Sequence, residues 1–236
     1  MLPLLSLVVL LAAPVGPYNE GNKLYAQKDY AGAAQAYEQA LKTGPSPVVH
    51  FNLGNALFKS GHIGQAILHY RRAHYLDPRD PDITSNLTFA RAYRVDKVAT
   101  QEGPVAKELD ELFHGISRGE AVVLAAIFCT LACALLSAWI VWRWPWLIMG
   151  ASVFGIVTLY GLIAQGVWAG EVRGRPAVVV VPEVNALSGP GEEFKQILLL
   201  HDGTEVNIHE TRGDYLLVQL PGGGGWIPKQ SVERVY

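Results

Sequence analysis

The side chains best suited to catalysis form none of its usual groupings here. The seven histidines (His50, His62, His69, His74, His114, His201 and His209) include no pair spaced to hold a metal from one helical face. His69 and His74, five residues apart, point different ways on a helix, and most of the set reads as surface. No serine–histidine–aspartate set or paired carboxylate stands out, so the chain is read as a non-enzyme with no catalytic residue, metal or cofactor. Cys129 and Cys133 are the only cysteines, one helical turn apart. A helical backbone holds such a pair near the upper limit for a disulfide. They are either small residues at a helix contact or a thiol redox pair. The glycine run Gly222–Gly225 lacks the lysine and hydroxyl residue that follow a phosphate-cradling loop. Trp226-Ile227-Pro228 reads as strand instead, which argues against nucleotide binding.

What recurs is a pattern suited to holding peptide. Tyr18, Asn22 and Tyr25 are followed 33 residues later by Phe51, Asn55 and Phe58, at helical separations of four and three. An asparagine amide can both donate to and accept from an extended backbone, while flanking aromatics bury its side chains. Asn52 and Lys59 share this stretch and complete the candidate partner-binding set. The alternative is that the aromatics only fill space between helices and the asparagines cap or bridge loops. Residues 18–100 hold ten basic and seven acidic side chains, an ordinary solvated surface rather than a nucleic-acid footprint.

The elements that position these residues follow from the same spacing. Gly21-Asn22, Ala33, Tyr37, Ala40 and Pro45 recur as Gly54-Asn55, Ala66, Tyr70, Ala73 and Pro78. Each unit predicts two short helices, with small residues where they cross and a proline that cannot continue the second. A unit of this size buries its apolar face only by stacking on a neighbour. Leu53-Gly54-Asn55-Ala56-Leu57, Gly61, Ala66, Tyr70, Ala73 and Asp77-Pro78 resemble the tetratricopeptide repeat (TPR) family almost throughout. A third start at Asn86-Leu87 lacks a second helix with the right alanines, so about two and a half repeats are expected over residues 17–100, the last helix capping the stack. The resemblance implies an all-α solenoid whose first helices line a protein-binding groove. Asn22 and Asn52 match the asparagines with which some members clamp a C-terminal carboxylate. Tyr18 and Asp82 stand where that clamp has lysines, so an internal peptide or folded partner is implied.

Apolar residues make up 50% of the chain and charged ones only 17%, a balance that points to a membrane protein. The excess lies in two charge-free runs, Ala121–Trp142 and Trp146–Ala169, each long enough to cross a bilayer. Transmembrane helices are expected at 120–142 and 146–169, joined by a loop at 143–145. Trp139, Trp142, Trp144 and Trp146 gather at that loop and Trp168 at the other end, as interfacial belts do. Residues 101–119 read as an amphipathic juxtamembrane linker, with Val105, Leu109, Leu112, Phe113 and Ile116 on one face. Residues 1–16, apolar and ending in small residues and prolines, read as a signal peptide. A secretory signal puts both flanking domains on the extracytoplasmic side of a bacterial inner membrane. Arg118, Arg173 and Arg175 against a lone Arg143 favour the opposite orientation.

From Ala177 onward the texture is short β-rich runs between turns. Strands are expected at 177–181, 196–200, 205–209, 215–219 and 226–228, with the glycine run as a wide turn. Val184-Asn185-Ala186-Leu187-Ser188-Gly189-Pro190-Gly191, Gly213-Asp214-Tyr215 and Gly225-Trp226-Ile227 resemble bacterial SH3 domains. That implies a small closed all-β barrel over 177–236, with Tyr215 and Trp226 as possible ligand-stacking residues. Leu187 replaces an arginine common in that family's first loop. The order of signal, repeats, two-helix hairpin and SH3-like end makes this multidomain chain similar to the BatE-like proteins of bacterial aerotolerance operons. The similarity implies a membrane scaffold working beside von Willebrand factor A-type membrane proteins in envelope stress tolerance. A competing reading gives the C-terminal domain the main role, as a peptidoglycan-binding anchor.

Overall fold

The computed structural model of the protein describes residues 15–96 and 112–236. The expected leader and most of the 101–119 linker, Val105 and Leu109 included, lie outside these residues. Five helices open the described chain: α1 (Val15–Ala26), α2 (Tyr30–Leu41), α3 (Pro47–Lys59), α4 (Ile63–Leu76) and α5 (Pro81–Ala92). Local chemistry sets their limits. Asp29 caps α2 by accepting the Gly32 N–H at 2.9 Å, and Ser46 and Asp80 cap α3 and α5. Pro47 and Pro81 follow those two caps, at the first helical position where a missing N–H is harmless. The turns within the two helix pairs pass through Lys28 and Gly61, one repeat apart and both left-handed, at φ 65° and 86°.

Glycine and tyrosine lock each pair. A Cβ added at Gly21 would lie 2.5 Å from the Tyr37 ring, and one at Gly54 would lie 2.7 Å from Tyr70. Both tyrosines are fully packed, with Ala33, Ala40, Ala66 and Ala73 buried around them. The glycines therefore recur because the rings need their space. Gly54→Val should destabilise the stack by about 2 kcal/mol, the usual scale for overpacking a filled core. A lowered midpoint for loss of helical circular dichroism would register it.

Helices α6 (Arg118–Trp142) and α7 (Pro145–Arg173) follow. Gly161 approaches Ala121 and Ala125 while Gly150 approaches Leu135, so the two run antiparallel. Ser117 and Glu120 form a reciprocal capping box at the start of α6. Arg143, left-handed at φ 55°, ends α6, and Pro145 opens α7. The helices extend past the apolar runs because hydropathy marks only the greasy part of a helix that continues to Arg173. Among the described residues these two are long and apolar enough to cross a membrane, and only 17% and 22% of their most apolar windows are buried. Trp142, Trp144 and Trp146 stack at 5.7 and 5.6 Å at the tip. Trp168 departs from the expected belt: it is 1% exposed, and its indole N–H donates to the Ile116 carbonyl at 2.9 Å. Cys129 and Cys133 are free thiols exposed on α6.

The C-terminal region is an antiparallel sheet of β1 (Pro176–Val179), β2 (Glu183–Leu187), β3 (Gln196–His201), β4 (Glu205–Arg212), β5 (Tyr215–Leu220), β6 (Gly223–Pro228) and β7 (Val232–Arg234). Its order is β3-β2-β6-β5-β4-β1-β7. The expected barrel does not close, and β3 and β7 remain edges. Strand β2 occupies the stretch matched to the SH3 first-loop signature, where only Val184 and Ala186 turn inward and the alternation is faint. The glycine run is not a wide turn. Leu220 pairs with Gly223, leaving Pro221-Gly222 as the turn. Gly224 and Gly225 let strands approach: a Cβ at Gly224 would meet the Val218 carbonyl, and one at Gly225 the Ala186 side chain.

Strand β1 is buried along its whole length because it serves two cores. Ala177 and Val179 face the sheet interior with Ile208, Leu216 and Ile227. Val178, with Val235, packs into the helical core around Leu57, Ile67 and Leu68. Sheet and helical stack thus share apolar surface directly.

Candidate functional site

The asparagines sit in a ladder that repeats with the helices. Tyr37 Oη donates to Asn22 Oδ1 at 2.8 Å, and Asn52 Nδ2 reaches the same oxygen at 3.4 Å. One repeat later, Tyr70 Oη donates to Asn55 Oδ1 at 2.7 Å and Asn86 Nδ2 donates to it at 2.8 Å. Asn52 Nδ2 also donates to Tyr18 Oη at 3.2 Å. Burial pushes the Tyr37 phenol up to about 12, so it remains a donor. The carbonyl oxygens of Asn22 and Asn55 are therefore committed to holding successive helices together. Their Nδ2 groups make no hydrogen bond among the described residues. Of the two amide functions suited to gripping a peptide, only the donor is spare.

The aromatics divide in the same way. Tyr18 tilts against Tyr37 at 6.1 Å, Tyr25 against Tyr30 at 5.2 Å and Phe51 against Tyr70 at 6.0 Å, which is packing between helices. Phe58 differs. It meets Phe89 at 5.5 Å and Tyr93 at 5.2 Å, and those two are 54% and 58% exposed. Lys59, the last residue of α3, is exposed. In the sheet, strand register puts Tyr215 and Trp226 on one face. Trp226 is 8% exposed, with the Arg212 guanidinium 5.3 Å from its ring centre, and Tyr215 is half-buried.

Two charged groupings join the bodies. Glu205 of β4 accepts from Arg91 Nε and Nη2 at 2.8 and 2.7 Å, from Arg94 Nη1 at 2.7 Å and from Arg71 Nη1 at 3.2 Å. Burial alone would raise its carboxyl, but the guanidiniums outweigh that and hold it below the usual carboxylate range. Arg71 Nη2 also donates to Glu171 of α7 at 2.8 Å. Asp96 accepts from the His201 backbone N–H at 2.9 Å and from Thr204 Oγ1 at 2.6 Å, and lies 2.9 Å from His201 Nδ1. An aspartate on Nδ1 is how a catalytic histidine is oriented, but the Thr204 hydroxyl is spent on Asp96 and supplies no nucleophile. The arrangement clasps the β3–β4 turn. His50 and His69, from a set read mostly as surface, are buried with their Nδ1 atoms 3.0 Å apart.

Sequence reading took Asn86 as a repeat start but not as a ladder residue, and missed Phe89 of α5 and Tyr93 at its end, where the repeat pattern fades. Tyr37 and Tyr70 recur 15 residues after their asparagines, a spacing that could have paired them. The ion pairs of Glu205 span more than a hundred residues and leave no local trace. No curated protein matches the chain. Residues 18–81, which hold both glycine–tyrosine locks and most of the asparagine ladder, match the tetratricopeptide repeat family, so this part of the chain is a TPR-like helical region.

Proposed function

We propose that this protein is a non-enzymatic, membrane-anchored scaffold that holds protein partners on its repeat stack. The hairpin crosses the membrane twice and keeps stack and sheet on its extracytoplasmic side. The observation that carries the reading is the spare donor pair on Asn22 and Asn55, in a stack that also bears the exposed Phe58–Phe89–Tyr93 cluster. A partner segment offering backbone carbonyls and an apolar side chain fits both features. Tethering two modules near one surface raises the effective concentration of partners that bind weakly alone. The domain order supports a place beside von Willebrand factor A-type membrane proteins in the bacterial envelope.

Asparagine-to-aspartate changes test the groove, since aspartate keeps an oxygen for Tyr37, Tyr70, Asn52 and Asn86 and replaces each spare donor with a charged oxygen that repels a partner carbonyl. A photo-crosslinker at Phe89 in intact membranes should capture a specific protein. Asn22→Asp with Asn55→Asp should lower that capture about tenfold, the loss of one to two charge-free hydrogen bonds, with the melting temperature little changed. Undiminished capture would remove the groove and leave the sheet, as a cell-wall anchor, the better binding module.

A further inference from the structure

A recess of about 630 Å³ opens where stack, hairpin and sheet meet, away from the groove. Arg71, Arg91 and Arg94 line it together with Glu171 and Glu205. Three guanidiniums face two carboxylates. Of the two wall histidines, His74 is held below its ordinary value by burial and is neutral, and His114 lies 3.5 Å from Glu171, so the balance is at least one excess positive charge. Glu205 already accepts four hydrogen bonds on two oxygens and has little capacity left. Donors remain. Arg91 Nη1 and Arg94 Nη2 make no hydrogen bond among the described residues, and His74 Nδ1 is buried without a partner among them. Buried polar atoms are rarely left so.

The shape of the donor set selects the ligand. A planar carboxylate is satisfied by one guanidinium fork, as Glu205 is by Arg91. Guanidiniums converging from α4, α5 and the segment after α5 suit a tetrahedral oxyanion, which takes bonds from several directions. The volume far exceeds that of one such ion, and Thr88 and Asn207 in the wall offer hydroxyl and amide contacts to an attached polyol. Trp168 and Glu171, at the end of α7 remote from the tryptophan tip, also line the recess. We infer that this recess binds a phosphate ester, drawn either from an anionic phospholipid headgroup or from a soluble phosphorylated small molecule. The lipid source rests on the hairpin's crossing a membrane. The phosphate chemistry does not, and neither depends on the groove.

The full chain, reconstituted in nanodiscs, provides the test. Glycerol 3-phosphate is titrated into phosphatidylcholine discs, and phosphatidylglycerol is compared with phosphatidylcholine by native mass spectrometry of retained lipid. Arg91→Gln should weaken binding about tenfold; Arg91 is 38% exposed, and Glu205 keeps Arg71 and Arg94. Lys42→Gln, the same charge change outside the recess, should alter it less than twofold. Should the arginine variant not fold, Thr88→Val should weaken binding about threefold. Response to phosphatidylglycerol alone assigns the lipid source, and response to glycerol 3-phosphate assigns the soluble one. Retention of neither ligand, or equal loss in the Arg91 and Lys42 variants, overturns the site.

Discussion

Glu205→Ala is expected to cost about 3–5 kcal/mol, the scale for removing one partner of a buried charge network. Its side chain is only 17% exposed and binds Arg71, Arg91 and Arg94 together. Alanine leaves Arg94 without an ion-pair partner at that spot and Arg71 with Glu171 alone. For a domain of this size the loss amounts to roughly 10 °C or more in melting temperature. Because Glu205 belongs to the sheet and the arginines to the stack, amide exchange in α4, α5 and β4 should accelerate together. Glu205→Gln retains the shape and some acceptor capacity and should cost less. A change below about 1 kcal/mol would mean that the cluster behaves as an exposed ion pair, screened by solvent.

Acidification is the second large effect. His50 and His69 lie in the second repeat, rings stacked at 5.2 Å and Nδ1 atoms 3.0 Å apart. One nitrogen must donate and the other accept, so the two rings cannot both be protonated while the bond is kept. Burial, with Arg72 nearby, lowers His50 to about 4, and burial with His50 and Arg72 lowers His69 well below its ordinary value. The unfolded chain takes up these protons near pH 6.5, whereas the folded chain resists until about pH 4. Between those values the unfolded state binds more protons, so stability falls as pH falls. His50 alone contributes about 3 kcal/mol to that fall. Denaturant midpoints at pH 7.5 and 4.5 measure it, and His69→Gln should flatten the slope. Glu205 adds a loss of the same sign only toward pH 4.5, where the unfolded carboxyl begins to take up its proton and the folded one does not.

How much of this was legible depended on whether the cause was local. Gly54 and Tyr70 are spaced by helical geometry, so the repeat announced both the helices and their contact. The hairpin was equally plain, since charge-free length is a local quantity. The asparagine ladder was half legible. Asn22 and Asn55 drew attention by recurrence, but only three dimensions show that their oxygens serve Tyr37 and Tyr70. The sheet was misread where its signal was weakest: Val184 and Ala186 alternate too briefly to mark β2, and four glycines look like a loop when two of them, Gly224 and Gly225, let β5 and β2 approach. Trp168 looked like an interfacial residue until Ile116 and Tyr75 were seen against it. The partners of Glu205 could not have been guessed, because nothing near it in the chain resembles them.

The double-sided burial of β1 bears on how the solenoid ends. Repeat arrays usually finish in a helix with a polar outer flank, which keeps the last unit soluble. Here Val178, Val235 and Tyr236 lie against the flank of the second repeat, so residues distant in the chain cover an apolar flank of the array. A chain truncated before Pro176 would bare that greasy flank and tend to clump. The terminal module is in this respect part of the array's own architecture, whatever else it recognises.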